Sequence, residues 1–124
     1  MAFYGGIISY DVHTYWNNNN EEERQFAFEL REKILKEFAS EIEAGDIRVH
    51  KFWDKPIGPH PINMFEIDFK SPEIFAKVVP FYQLNHGPLS VLIHPRSGQG
   101  SLIDHTKYAL WLGHKVRLDT SRLE

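Results

Sequence analysis

The sequence predicts an α+β fold: an antiparallel sheet of four strands, with two helices on one face and a C-terminal extension. Three observations predict it. Four segments alternate side-chain character with period two, between breaks made by Gly, Pro and Asn. Two other segments repeat apolar residues at three- and four-residue steps behind good capping residues. The segments follow one another as β-α-β-β-α-β, the order of the ferredoxin-like split βαβ sandwich, whose sheet order is 4-1-3-2. A chain of 124 residues suits one domain, 1–124, with one core.

The first strand, Ile7 to Trp16, follows the break at Gly5-Gly6. Ile8, Tyr10, Val12, Thr14 and Trp16 form one face, and Ile7, Ser9, Asp11, His13 and Tyr15 the other. Asn20 caps the helix that follows, with Glu21, Glu22 and Glu23 at its positive end and Glu23 completing a capping box. Ala27, Leu30, Ile34, Phe38 and Ile42 make one apolar stripe, so the helix is predicted as a single long element ending at Ala44-Gly45. The second strand is Asp46 to Trp53. Pro56, Gly58, Pro59 and Pro61 then make a stiff connection. The third strand, Ile62 to Phe69, turns Phe65, Ile67 and Phe69 one way and Met64, Glu66 and Asp68 the other.

Ser71-Pro72 opens the second helix, with Ser at the cap and Pro at the first position. Phe75, Val78, Val79 and Tyr82 face inward, and Pro80 is expected to kink or split the helix. Asn85-His86-Gly87-Pro88 stops it. The fourth strand is Leu89 to His94, and Arg96 to Gly100 reads as a loop. Asp104 to Leu112 reads as a short helix or an irregular packing segment. Beyond Gly113 the chain carries little pattern.

Composition excludes several function classes. Net charge is −3 and no Lys/Arg cluster appears, so the footprint of a nucleic-acid binder is missing. The absence of Cys excludes disulfides and zinc-thiolate sites. The first six residues have neither a basic nor a long apolar region, so no signal peptide and a cytoplasmic location are expected. No apolar run approaches the roughly 20 residues of a membrane span. Seven His and no Cys point to nitrogen-and-oxygen chemistry.

Parity locates that chemistry. With the apolar face of each strand on the helices, the open face receives Asp11 and His13 from strand one and His50 from strand two. Strand three adds Glu66 and Asp68, and strand four adds His94. Histidines and carboxylates on adjacent strands make a candidate metal or acid/base site. Two His and a carboxylate suit non-haem Fe(II) and related ions. His60, framed by Gly58, Pro59 and Pro61, and His94, followed by Pro95, are presented by rigid backbone. The plainer readings make each His a hydrogen-bonded structural residue, Asp68 a solvated group, and His86 and His114 exposed loop residues. Asp104 would then cap a segment beginning at His105, and Tyr15, Trp16, Phe52 and Trp53 would be core and rim.

The chain resembles the small ferredoxin-like DOPA 4,5-dioxygenase family of fungi and bacteria. The matching pieces are Tyr10-Asp11-Val12-His13-Thr14-Tyr15-Trp16, Pro56-Ile57-Gly58-Pro59-His60-Pro61 and Met64-Phe65-Glu66. They continue with Leu89-Ser90-Val91-Leu92-Ile93-His94-Pro95, Asp104-His105 and Trp111-Leu112-Gly113. They cover nearly the whole chain in order. The resemblance implies ring-opening of a catechol by O₂ with non-haem Fe(II), zinc being an alternative occupant in purified material. It implies His13, His60 and His94 as metal ligands, with Asp11 and Glu66 as alternates. His50 and His105 fall to proton transfer, and Tyr15 and Trp53 to the border of the substrate ring. The resemblance also implies His-x-His on the first strand, where this chain has Asp11-Val12-His13.

An open sheet face needs covering by the tail or by a second subunit, so a homodimer is expected. Two rival readings remain: a dimer that binds a metal or a small aromatic ligand without turnover, and a structural dimer whose His and Glu form interface hydrogen bonds.

Overall fold

The computed structural model describes residues 1–55 and 58–124, so Pro56 and Ile57 of the predicted stiff connection lie outside the described residues. A single 3₁₀ turn at Tyr4–Gly6 leads into β1, Ser9–Trp16. The helices are α1, Glu21–Glu37; α2, Ala39–Glu43; α3, Pro72–Asn85; and α4, Ser101–His105. The remaining strands are β2, Ile47–Val49; β3, Asn63–Phe69; β4, Ser90–Arg96; and β5, Leu110–Leu112. All pair antiparallel in the order β2-β3-β1-β4-β5. Read from the other edge, this is the predicted 4-1-3-2 order with a fifth strand added beside β4. The α+β class holds, and the segment expected to be a short helix or irregular packing supplies that extra strand at Leu110–Leu112.

The core sits where parity puts it. Val12, Trp16, Phe65, Ile67, Phe69, Val91 and Ile93 meet Ala27, Leu30 and Ile34 of α1 and Ile74, Val78 and Tyr82 of α3. Burying each of these large side chains contributes roughly 1.5–3 kcal/mol. The opposite face carries a smaller cluster, Tyr15, Met64 and Leu92. Trp111 of β5 and Val116 and Leu118 of the tail pack against it. The C-terminal extension therefore covers part of the open face.

Four boundaries differ from the sequence expectation, each for a physical reason. The long helix breaks at Phe38 (φ −108°, ψ 27°), whose buried ring packs edge-on against Phe81. In contrast, α3 runs through Pro80 as one element. Pro80 and Ala76 are both exposed, so water can take the carbonyl that the proline ring leaves unpaired.

Regular pairing of β2 ends at Val49. The bridge Trp53↔Met64 lies four residues beyond Val49 on one segment and three from Ile67 on the other, so one extra residue bulges there. Lastly, β4 extends past His94 to Arg96, because Arg96 pairs with Ser9 of β1.

Candidate metal centre

The register brings the polar residues of the open face into rows. Asp11 of β1 lies between Asp68 of β3 and His94 of β4, and His13 lies between Glu66 and Leu92. His60 enters from the loop ahead of β3, and His105 from the end of α4. The rings of His13 and His60 stand 4.1 Å apart, those of His94 and His105 3.9 Å, and those of His13 and His94 5.1 Å. Four histidines from four separate segments thus converge. Two triads have donor atoms that all lie within 4.8 Å of one another: His13 with His60 and His105, and His13 with Asp11 and His94. His13 belongs to both. His60 and His94 fall in different triads, and His105, read from the sequence as a proton-transfer residue, stands among the candidate ligands.

Hydrogen bonds fix which ring nitrogens point inward. A carbonyl only accepts, so His94 Nδ1–H donates to Pro95 O (3.1 Å) and His105 Nδ1–H donates to Ser101 O (2.8 Å). In the neutral rings Nε2 is then left bare. His60 Nδ1 is held by Tyr15 Oη at 2.6 Å. His13 Nε2 lies 3.1 Å from His94 Nε2, while His13 Nδ1 and Asp11 Oδ1 are buried without a partner.

Burial favours the neutral form of His13, His60 and His94. Desolvation, reinforced by the neighbouring imidazoles, drives His13 well below the ordinary range of histidine and His60 down to about 3. Desolvation, with His105 close by, also lowers His94. A neutral imidazole is the form that ligates.

These features fit a divalent first-row metal. Two imidazole nitrogens at right angles on an ion with metal–nitrogen bonds of about 2.1 Å stand about 3.0 Å apart, close to the His13–His94 separation. The orphaned buried atoms are themselves potential donors. The nitrogen-and-carboxylate set suits iron, copper or zinc rather than calcium. A cavity of about 510 Å³ opens beside the cluster, lined by Asp11, His94, Arg96, Asp104 and His105, with Ile8 at its rim. It has the size of a small-molecule site.

A profile of the Dopa 4,5-dioxygenase family matches residues 10–122. This chain belongs to that family. A DOPA 4,5-dioxygenase of Amanita muscaria is 34% identical over 119 residues, 94% of this chain and 50% of that protein. A 21.2 kDa protein of Botryotinia fuckeliana, of unassigned function, is 41% identical over 91% of this chain and 62% of its own length. The chain therefore spans about half to three-fifths of these curated relatives. A candidate dioxygenase from Nostoc punctiforme has a crystal structure that superposes with a TM-score of 0.75 at 33% identity, covering 92% of this chain and 89% of that one. The resemblance drawn from the motifs is thus the chain's family.

Other residues singled out in the sequence lie outside the four-histidine cluster. His50 Nε2 lies 2.6 Å from Asp68 Oδ2, and the two form a third group with Glu66, whose donor atoms also lie within 4.8 Å of one another. Arg48 donates to Asp68 Oδ1 at 2.8 Å. Desolvation and the charge of Asp11 push Glu66 up to about 7. Tyr15, expected at the substrate border, is buried, with its hydroxyl 2.6 Å from His60 Nδ1. Trp53 is half-buried against the smaller cluster, with Lys51 Nζ 4.5 Å over its ring. Arg96 escaped the sequence reading because His94-Pro95 looked like a strand end. Its signal was parity, two residues beyond His94 on the same face. No helix among the described residues is long and apolar enough to cross a membrane.

Proposed function

We propose that this chain is a non-haem iron dioxygenase that opens the ring of a catechol, such as DOPA, by extradiol cleavage with O₂. The observation that carries the reading is the convergence of His13, His60, His94 and His105, with Asp11, beside a cavity of small-molecule size. Family membership supports the same reading. His13, common to both triads, would be the central ligand, with partners drawn from His60, His94, His105 and Asp11. Fe(II) held there supplies the electron path between a catecholate and O₂ and lowers the catechol's pKa.

The chain's own residues do the rest. Pro95 and Ser101 carbonyls hold His94 and His105 with Nε2 inward. With His60 ligating through Nε2, its Nδ1–H donates to Tyr15 Oη, a link of the kind that orients a ligand and raises its basicity. Burial excludes water from His13 on the sheet side, while the cavity leaves an approach past His94 and His105. His50, paired with Asp68 and half-exposed, would carry a proton between solvent and the site.

The test is anaerobic loading with Fe(II), followed by O₂ and a panel of catechols. A coloured ring-opened product with stoichiometric O₂ uptake is expected, and both should vanish in His13→Ala. No uptake with any catechol would overturn the reading. A homodimer remains part of it, and sedimentation velocity would measure that directly.

A further inference from the structure

We infer that Arg96 reads a carboxylate on the substrate, and that the site takes catechol carboxylic acids without requiring an amino group. The inference rests on the ring-cleavage reading for the catechol itself and on the cavity for the rest. Arg96 follows His94 by two residues on β4, so both side chains project from the same face of the sheet, roughly 7 Å apart at about 3.3 Å per residue. Both line the same cavity. An acid on a short carbon side chain of a catechol spans a comparable distance, so the ring oxygens can lie at His94 and His105 while the acid lies at Arg96.

The guanidinium is available for that task. Its Nε donates to Asp11 Oδ2 at 3.2 Å, and its side chain is 56% exposed. Among the described residues its two terminal nitrogens have no hydrogen-bond partner. Those nitrogens form the fork that matches a carboxylate in two parallel bonds.

An ammonium group finds no such counterpart. Two carboxylates line the cavity. Asp104 takes Ser97 Oγ on Oδ1 (2.5 Å) and Ser97 N–H on Oδ2 (3.2 Å). Asp11 gives Oδ2 to Arg96, and its Oδ1 is buried from any probe in the cavity. Among the described residues lining the cavity, both carboxylates are buried and already hydrogen-bonded, whereas two nitrogens of the half-exposed Arg96 fork are unpaired, which favours a carboxylate over an ammonium as the group recognised.

Calorimetric titration of Zn(II)-loaded protein tests this without turnover. The probes are 3,4-dihydroxyphenylpropionate, its primary amide, and DOPA. Wild-type protein should bind the acid about tenfold or more tightly than the amide, as befits a charge-assisted pair, and no more weakly than DOPA. In Arg96→Gln the acid-to-amide ratio should fall to within about threefold, and Arg96→Lys should retain part of it. The ratio cancels any general loss caused by unpairing Asp11, and the lysine variant guards against a misfolded glutamine variant.

Equal binding of acid and amide by wild type, an undiminished ratio in both variants, a clear preference for DOPA, or no binding of any probe would each overturn the inference. Its failure is distinct from that of ring cleavage. A protein that consumes O₂ with neutral and acidic catechols alike sinks only the role of Arg96. One that prefers the acid but never consumes O₂ sinks only the ring-opening reaction.

Discussion

Tyr15 belongs to the smaller apolar cluster through its ring and to the metal centre through its hydroxyl. Its proton is tightly held, because burial raises the phenol above its ordinary range. Tyr15→Phe keeps the packing and removes the link to His60. Zinc or cobalt affinity should fall about 10–100-fold with little change in melting temperature, and competition with a chromophoric chelator measures it. An unchanged affinity would make the bond incidental.

Parity alone gave Asp11, His13, Glu66 and His94, since each side chain alternates on a strand with an unmistakable apolar partner face. His60 was legible from its frame of Gly and Pro. The Tyr15–His60 bond was not, because it joins residues 45 apart through a loop whose path no local pattern dictates. The place of His105 was hidden in the same way: its neighbours are set by α4 docking onto β4.

Asn20 shows what an element can disclose in advance. Its side chain accepts the Glu23 N–H at 3.0 Å, and Glu23 in turn accepts from Asn17 N–H at 2.9 Å. The capping box read from the sequence is present, with the return bond taken by Asn17 rather than by the cap's own N–H. Asn20→Ala should cost about 1 kcal/mol, visible as a lower urea midpoint at unchanged slope. Ser71, which accepts Ile74 N–H at 3.2 Å, was equally legible. Less legible were the breaks and additions. Phe38 continues the helical stripe in sequence yet ends α1, because packing against Phe81 outweighs the weak preference of one residue for a helix. Trp111 occupies a three-residue strand that exists only because β4 offers an edge.

For the molecule as a whole, neutral buried imidazoles make stability depend on pH. His60 has a folded-state pKa near 3 against an unfolded value near 6.5, so the unfolded chain binds more protons between those limits. The contribution is fully present above about pH 6.5 and is lost as pH falls toward 3. Its size is up to about 5 kcal/mol, and His13 and His94 act in the same direction. Urea unfolding of metal-free protein should therefore show a steep loss between pH 6.5 and pH 4, shallower in His60→Gln. Equal slopes in the two proteins would refute the assignment.

Two backbone hydrogen bonds tie the far part of the tail to the site. Asp119 N–H donates to Pro59 O at 2.8 Å, next to His60, and Leu102 N–H donates to Glu124 O at 2.9 Å, in the first turn of α4. Glu124 also lies against Gly100, where an added Cβ would meet its oxygen at 2.6 Å. Gly100 is a wall of the cavity. Gly100→Ala would therefore press on the tail and on the cavity lining in one stroke, coupling the packing of residue 124 to the shape of the hollow beside His94 and His105.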